Sequence, residues 1–482
     1  MFRHSLVTMI KTPDWAKEAI FYQIFPDRFA KSSNVPKASH LEAWDAQPTP
    51  HGYKGGDLLG VVEQLDYLQN LGVTALYFNP VFQSASNHRY HTHDYFQVDP
   101  MLGGNKALRV LIDEVHKRDM KIMLDGVFNH ASRGFFQFND ILENGDKSAY
   151  LDWFHVRKFP LNAYNELEAG YDAWWGLKAL PKFNTDTEAV REFLWAVATH
   201  WLEFGIDGWR LDVPNEISDD SFWQEFRRRC HKINPEAYIV GEIWDDPSRW
   251  LQGDQFDAVM NYPLTRAIFG FVSHDLNDKE SDKCGYRYIN RLTAEGFAKA
   301  LQSNLTTYHP EITQAQFNLL GSHDTPRALT LLKGDEDALR LAYLLLFTLP
   351  GAPCIYYGDE LGLMGNHDPF CRQAMPWGTK SLWDYDLLDY LQDLIELRKR
   401  YKAFSRGTLS ILKTQGCALA YRLEYEGQEI ILAVNADKKP VQLTLKLSSG
   451  SYLEPLESMT LSTEKDLLLE LEAKSARVLI RQ

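Results

Sequence analysis

Short apolar runs recur along this chain and alternate with stretches whose apolar positions fall three and four apart. The runs occupy residues 19–25, 75–79, 121–127, 206–213, 238–243, 256–261, 317–321 and 352–357. The amphipathic stretches between them occupy residues 61–70, 106–118, 188–204, 221–232 and 335–349. A short run bounded by turn residues reads as a buried strand, and the longer spacing reads as a helix with one face on a core. Eight strands alternating with helices predict an α/β fold, a (β/α)8 TIM barrel. A doubly wound open sheet is the alternative. Against it, no Gly-x-Gly-x-x-Gly follows the first run, and polar residues end many runs rather than one or two.

Two segments depart from this alternation. Residues 131–186 are rich in aromatic, Gly, Asn and Pro residues, and a connection that long in a compact protein is functional or a small subdomain. After residue 402 the period shortens. Runs at 407–413, 418–425, 429–434, 440–447 and 473–480 are separated by Gln415-Gly416, Glu426-Gly427 and Asn435-Ala436-Asp437. These predict an antiparallel β-sandwich. The expected division is a barrel over residues 1–130 and 187–402, an inserted subdomain over 131–186, and a C-terminal β domain over 403–482.

Composition narrows the partners. A net charge of −14 gives a polyanion nothing to bind, so nucleic acid is excluded as a partner. The five cysteines are widely spaced without a Cys-x-x-Cys, which leaves no zinc or redox motif. The apolar stretch at residues 6–10 is short and broken by Thr8, so neither a leader nor a membrane span is expected. A cytoplasmic protein follows from that reading. Most of the 13 Trp, 23 Tyr and 26 Phe belong to a large core. Several, however, lie beside the carboxylates described next.

Carboxylates end several runs. They stand in Asp125-Gly126-Val127-Phe128-Asn129-His130, Gly208-Trp209-Arg210-Leu211-Asp212-Val213, Gly241-Glu242-Ile243-Trp244 and Ser322-His323-Asp324-Thr325. A single Asp after a strand is most often a helix cap or turn residue. Several on different strands, beside His or Arg, point to one shared site at the C-terminal mouth of a barrel. A metal site is a rival use of His and Asp, but no His-Glu-x-x-His spacing supports it. Side chains alternate along a strand, so Arg210 and Asp212 share a side. The guanidinium is expected to keep Asp212 ionised, as a nucleophile requires. Glu242 lies among Gly241, Ile243 and Trp244, an apolar setting that favours a protonated acid. Paired carboxylates of these two kinds are what cleavage of a glycosidic bond with retention needs. His130 and His323 are suited to sugar hydroxyls.

In order, these four segments resemble the four sequence regions of the α-amylase family of glycoside hydrolases, family 13. Phe21-Tyr22-Gln23-Ile24-Phe25-Pro26-Asp27-Arg28-Phe29 resembles its opening strand. Gly351-Ala352-Pro353 through Gly358-Asp359-Glu360 resembles its eighth strand. Within the family, Ser84-Ala85-Ser86-Asn87-His88-Arg89-Tyr90, Pro181-Lys182-Phe183-Asn184, Trp244 and Asp368-Pro369-Phe370-Cys371-Arg372 are most similar to the neopullulanase and cyclomaltodextrinase group. The resemblance implies Asp212 as nucleophile, Glu242 as general acid/base and Asp324 as the third carboxylate. It also implies that Arg210 orients Asp212, that His130 and His323 contact the sugar and that Tyr90 stacks on it. Trp244 is placed on the leaving-group side, and Asn129 and Arg372 complete the substrate-binding set.

The implied substrates are maltooligosaccharides, cyclodextrins, pullulan or starch-like α-glucans, cut at α-1,4 bonds and in some members at α-1,6 bonds. A transglycosylase or a dedicated α-1,6 debranching enzyme is the alternative on the same fold. A non-catalytic relative would lack a carboxylate, and all three are present.

Two departures from the group carry expectations. The first strand begins near residue 19, which leaves no room for the group's N-terminal β domain. A more open cleft and a monomer or weak homo-oligomer are therefore expected. The group's calcium loop reads Ala30-Lys31-Ser32-Ser33-Asn34-Val35-Pro36-Lys37, with two lysines and no acid. At a second calcium position Asn129 is present, but Glu216 follows Asn215 where the family has a His. Hard cations need several oxygen ligands, so no calcium or other cofactor is expected to be required.

Overall fold

Each of the eight apolar runs forms a strand in the computed structural model, which describes residues 10–482. The stretch read for a leader, up to residue 9, lies outside the described residues. The strands are β1 (Phe21–Ile24), β2 (Ala75–Phe78), β3 (Lys121–Gly126), β4 (Gly208–Leu211), β5 (Tyr238–Gly241), β6 (Ala258–Val259), β7 (Phe317–Leu319) and β8 (Ala352–Tyr356). They pair in parallel in the order β6-β5-β4-β3-β2-β1-β8-β7. A parallel bridge between Met260 and Phe317 joins the two ends and closes the barrel. Strands β1, β2, β4, β5 and β8 are buried at every position, which is why they read as unbroken apolar runs.

Strand β6 is much shorter than its run. Side chains take its ladder positions: the Asp257 carboxylate accepts the Ile239 amide at 2.8 Å, and the Gln316 side-chain oxygen accepts the Val259 amide at 3.1 Å. The pattern of apolar residues cannot register such a substitution.

The surrounding helices include α1 (Leu65–Leu71), α2 (Gly104–His116), α3 (Glu188–Phe204), α4 (Asp220–Ile233), α5 (Tyr262–Val272), α6 (Ala294–Thr306), α7 (Glu336–Thr348) and α8 (Tyr385–Arg400). Helix α3 stops at Gly205, whose φ of 114° is open to glycine but costly for other residues. Helices α7 and α8 start on Asp335 and Asp384, whose carboxylates accept the amides of Ala338 and Leu387 at 3.0 and 2.9 Å.

Two connections shape the barrel mouth. A hairpin of Phe82–Ser84 with Thr92–Val98, not foreseen from the apolar pattern, carries Tyr90 in its turn. Residues 131–186 hold one α-helix, Phe136–Asn144, and three short 3-10 turns, and are otherwise tied by isolated bridges such as His130 with Lys182 and Ala173 with Pro181. Phe135, Phe138, Phe154, Tyr171 and Phe183 pack together beneath them.

The C-terminal strands are β9 (Thr408–Gln415), β10 (Ala418–Tyr425), β11 (Gln428–Asn435), β12 (Val441–Lys446), β13 (Gly450–Glu454), β14 (Met459–Thr463), β15 (Asp466–Leu471) and β16 (Ser475–Arg481). A six-stranded sheet, β9-β10-β11-β16-β13-β14, lies against the two-stranded sheet β12-β15. Leu419, Tyr421, Leu432 and Val478 join the barrel's core, while Ala420, Ile431, Leu443 and Leu469 form a second core between the two sheets. Strands β13, β14 and β15 were not foreseen.

Gly208, at the start of β4, sits where a Cβ would lie 2.3 Å from the Tyr238 carbonyl oxygen of β5. Two strands meet there with no room for a methyl group. The Gly208→Ala variant is expected to be destabilised by about 1–3 kcal/mol. Denaturant titration would read this as a lower unfolding midpoint, accompanied by loss of activity because Arg210 lies on the same displaced strand.

Candidate active site

Arg210 points into the barrel from β4 and is fully buried. A cation there must be matched by acceptors. Its Nη1 donates to both Asp125 carboxylate oxygens, at 2.9 and 3.1 Å, and to Asp212 Oδ1 at 3.1 Å. Glu242 Oε2 lies 3.0 Å from Nη2. Three carboxylates from β3 and from the ends of β4 and β5 therefore meet on one guanidinium. The register places Asp125 directly opposite Arg210 in the ladder.

One positive charge does not balance three negative ones, so the set retains a proton. Burial raises the pKa of Asp212 well above the usual carboxylate range. The charge of Glu242 raises it further, and Arg210 offsets only part. Burial likewise raises Glu242, against the pull of Arg210 and with a further push from Asp324. Asp125 is raised by burial despite Arg210 and the hydroxyls of Tyr90 and Tyr77. Arg210 lowers the Asp212 pKa in the expected sense, while burial and the charge of Glu242 act against it.

Glu242 is further held by two donors. The indole N–H of Trp244 reaches Oε1 at 3.1 Å, and the Val213 amide reaches Oε2 at 3.3 Å. Val213 has a φ of 36°, a strained conformation for a β-branched residue. This turn directly follows Asp212 and aims the amide at Glu242. The Trp244 ring stacks on Tyr262 with centroids 3.6 Å apart, and a Cβ on Gly285 would lie 2.3 Å from the indole. Tyr262 and Tyr286 were not singled out from the sequence, since nothing in their local pattern distinguishes them from core residues.

Asp324 is the most open of the three carboxylates, with a side chain 35% exposed against 12% for Asp212 and 5% for Glu242. Arg372 Nη2 donates to Asp324 Oδ1 at 3.2 Å, and its Nε donates to the His323 carbonyl at 2.8 Å. His323 Nδ1 accepts from the side-chain amides of Gln23 and Asn79 at 3.0 and 3.1 Å, which places the ring proton on Nε2. That nitrogen lies 2.7 Å from the Tyr90 hydroxyl and 3.1 Å from Asp324 Oδ2. The Tyr90 hydroxyl in turn donates to Asp125 Oδ2 at 2.7 Å, and its ring stacks on His323 at 5.4 Å. Burial, with Arg372 and Arg210 nearby, pushes the His323 pKa well down, so the ring is neutral. Gln23 was missed in the sequence. Its signal was an amide in the middle of an apolar strand.

His130 is also buried, and burial lowers its pKa to about 3. Its Nδ1 accepts from the Asn129 side-chain amide at 3.2 Å, while Nε2 has no partner among the described residues. Its ring stacks on Trp174 at 5.4 Å. The structure thus brings Asp212, Glu242, Asp324, Arg210, Tyr90, His323, Trp244 and Arg372 into one contact network. His130 and Asn129 stand at the edge formed with the insertion.

The loop marked for calcium is held by ammonium groups. Lys37 Nζ donates to the Gly55 carbonyl at 2.9 Å and to the Asp57 carboxylate. Lys54 Nζ donates to the carbonyls of Ala43 and Ala46 at 2.7 and 2.6 Å. Oxygens that a hard cation would need are already directed at lysines. No group of three or more His, Cys, Asp or Glu side chains arranged for a metal occurs among the described residues. The residues in this loop do not fit a calcium ion.

The α-amylase catalytic-domain model matches residues 23–381, which covers most of the barrel and every residue of this network. The chain belongs to the α-amylase family. It is 44% identical to a cyclomaltodextrinase of Bacillus sp over 95% of this chain and 79% of that protein. The crystal structure of Ttha1563 from Thermus thermophilus superposes with a TM-score of 0.93 at 46% identity, covering 97% of this chain and all of that one (100%). The native form of the Nostoc punctiforme debranching enzyme superposes with a TM-score of 0.89 at 46% identity, covering 98% and 99%. This α-amylase family member is a glycoside hydrolase with a (β/α)8 barrel, and no described helix is long and apolar enough to cross a membrane.

The Trp244 hydrogen bond stabilises the charged form of Glu242. Its loss in Trp244→Phe raises the Glu242 pKa. A general acid must be protonated, so the alkaline limb of the pH–rate profile is expected to move upward, by roughly 0.5–1 unit. A downward shift or an unchanged limb would show that the indole does not tune this acid.

Proposed function

We propose that this enzyme hydrolyses α-1,4-glucosidic bonds with retention, in endo fashion, in maltooligosaccharides, cyclodextrins, pullulan or starch-like α-glucans. The observation that carries the reading is the pair Asp212 and Glu242 on neighbouring nitrogens of Arg210. A pair held that closely favours the roughly 5–5.5 Å separation of a retaining enzyme over the wider inverting one. Asp212 takes a direct hydrogen bond from Nη1, whereas Arg210 Nη2, the nitrogen facing Glu242, lacks hydrogen-bond alignment to any partner among the described residues. Glu242 is also the more deeply buried of the two. In this reading Glu242 protonates the leaving oxygen and Asp212 attacks the anomeric carbon. Glu242 then acts as base for the water that releases the sugar.

Asp324 is the exposed carboxylate and, with the Nε2–H of His323, faces the sugar hydroxyls. His130 keeps an unpartnered Nε2–H for the same purpose, and Asn129 holds its tautomer. Tyr90 offers its ring to the sugar and Trp244 borders the leaving-group side. Hydrolysis of α-1,6 bonds is included in this reading, since a structure similar to this chain is named a debranching enzyme. A transglycosylase is the second reading. Its support is the stack of Trp244 on Tyr262, a flat surface beside the acid on which an acceptor sugar is able to lie. The enzyme is read as a monomer or weak homo-oligomer, and its five free cysteines support a cytoplasmic location.

Products from maltoheptaose, β-cyclodextrin and pullulan test the specificity. Maltose from cyclodextrin and panose from pullulan are expected. Disproportionation with little new reducing end would favour the transglycosylase instead. Asp212→Asn and Glu242→Gln are each expected to lower kcat by about 10²–10⁴-fold while circular dichroism stays unchanged. Near-normal turnover in either would remove its assigned role.

The lysines in the loop at residues 30–37 support a protein that needs no calcium. Excess EDTA is expected to leave both activity and thermal midpoint unchanged. A large fall that calcium restores would overturn this.

A further inference from the structure

The insertion carries an aromatic feature that the catalytic chemistry does not use. Trp175 is 81% exposed, so its indole contributes little burial. Its backbone is also in the left-handed region, at φ 50° and ψ 21°. A bulky residue there costs on the order of 1–3 kcal/mol, and such strain collects at ligand sites. Folding alone accounts for neither the exposure nor the strain.

Trp175 is the outer member of a ladder that begins at the active site. The His130 ring stacks on Trp174 at 5.4 Å, and Trp174 stacks on Trp175 at 4.6 Å with 9° between the planes. The indole N–H of Trp174 is buried without a partner among the described residues. Trp174 and Trp175 border a hollow of about 480 Å³. Its opposite wall includes Glu216, on the turn Pro214–Glu216 that follows Asp212 and Val213.

Each of the three cations lining the hollow already has an acceptor within the protein. Arg157 pairs with Asp172 at 2.7 Å. Lys182 donates to the Glu216 carbonyl at 3.0 Å and lies 3.5 Å from its carboxylate. Lys178 donates to the carbonyls of Asn165 and Leu167. An anion would compete with acceptors that already hold each of these cations. A neutral polyhydroxylated ligand finds an open ring face together with polar groups that retain spare hydrogen-bonding capacity.

We propose that Trp175 and this hollow form a remote binding site for glucose units of the α-glucan chain, away from the bond being cleaved. The proposal rests on the glucan-hydrolase reading above. Trp175 stacks on the apolar face of a sugar ring, Trp174 supports it from behind, and the Lys182–Glu216 pair engages hydroxyls. The site acts only on chains long enough to reach it, so it sets a preference for longer chains without touching the chemistry.

Trp175→Ala tests this on the full chain, with Trp175→Tyr keeping a ring at the same place. For the alanine variant, KM on maltoheptaose and amylopectin is expected to rise roughly tenfold, a loss of one stacking contact. Its kcat, and both constants on maltotriose, are expected to stay as in the wild type, and the tyrosine variant is expected to restore most of the affinity. In the Asp212→Asn background, maltoheptaose is expected to change tryptophan fluorescence, and that change is lost with Trp175→Ala. An unchanged KM on long chains, or an equal loss on maltotriose and maltoheptaose, overturns the proposal. So does a change of mass in solution with unaltered glucan constants, which would assign Trp175 to a contact between copies. A wild-type enzyme inert toward every glucan would instead defeat the hydrolase reading on which the proposal stands.

Discussion

The barrel mouth is organised around a single buried cation. Arg210 is fully buried, so its guanidinium requires carboxylates from neighbouring strands. Parallel register supplies Asp125 opposite Arg210, strand alternation puts Asp212 on the same side, and β5 ends so that Glu242 lies against Nη2. Asp125 binds the cation with both oxygens and is itself fixed by the hydroxyls of Tyr77 and Tyr90. Without Arg210 this centre would hold three carboxylates and no countercharge. The same residue thus holds the fold's inner rim together and sets the spacing of the reacting groups.

The arrangement is deliberately short of positive charge. A fully neutralised site would have no reason to keep a proton at neutral pH, and a general acid needs one. Burial raises both Asp212 and Glu242 against the pull of Arg210. Strain at Val213 belongs to the same design, since its left-handed turn is what brings a backbone amide to Glu242. Stability is given up at this turn to position the carboxylate.

Around this rigid centre the connections do the recognition, as is usual when a barrel serves as scaffold. The hairpin at residues 82–98 brings Tyr90 to His323, and the insertion brings Trp174 to His130. Near the barrel's first strand, the Lys37 ammonium ties the loop at residues 30–37 to the Gly55 carbonyl and the Asp57 carboxylate. Each of these joins residues far apart in the chain.

What the sequence determined alone was the barrel and its carboxylates. Parallel strands buried on both faces leave unbroken apolar runs, and a strand-end Asp or Glu beside His or Arg is visible without coordinates. Where burial is partial the signal fades: β14 is mostly exposed and has no apolar period, and β15 buries only alternate residues within a leucine-rich run that either period accommodates. Strand β6 is short because side chains replace its ladder bonds. Only the tertiary structure decided that Arg210 serves three carboxylates rather than one. It also decided that Trp244 is held by Tyr262, and that Trp175 stands in the open at the end of a ladder from His130. Those are contacts between distant segments, and local pattern carries no record of which surfaces will meet.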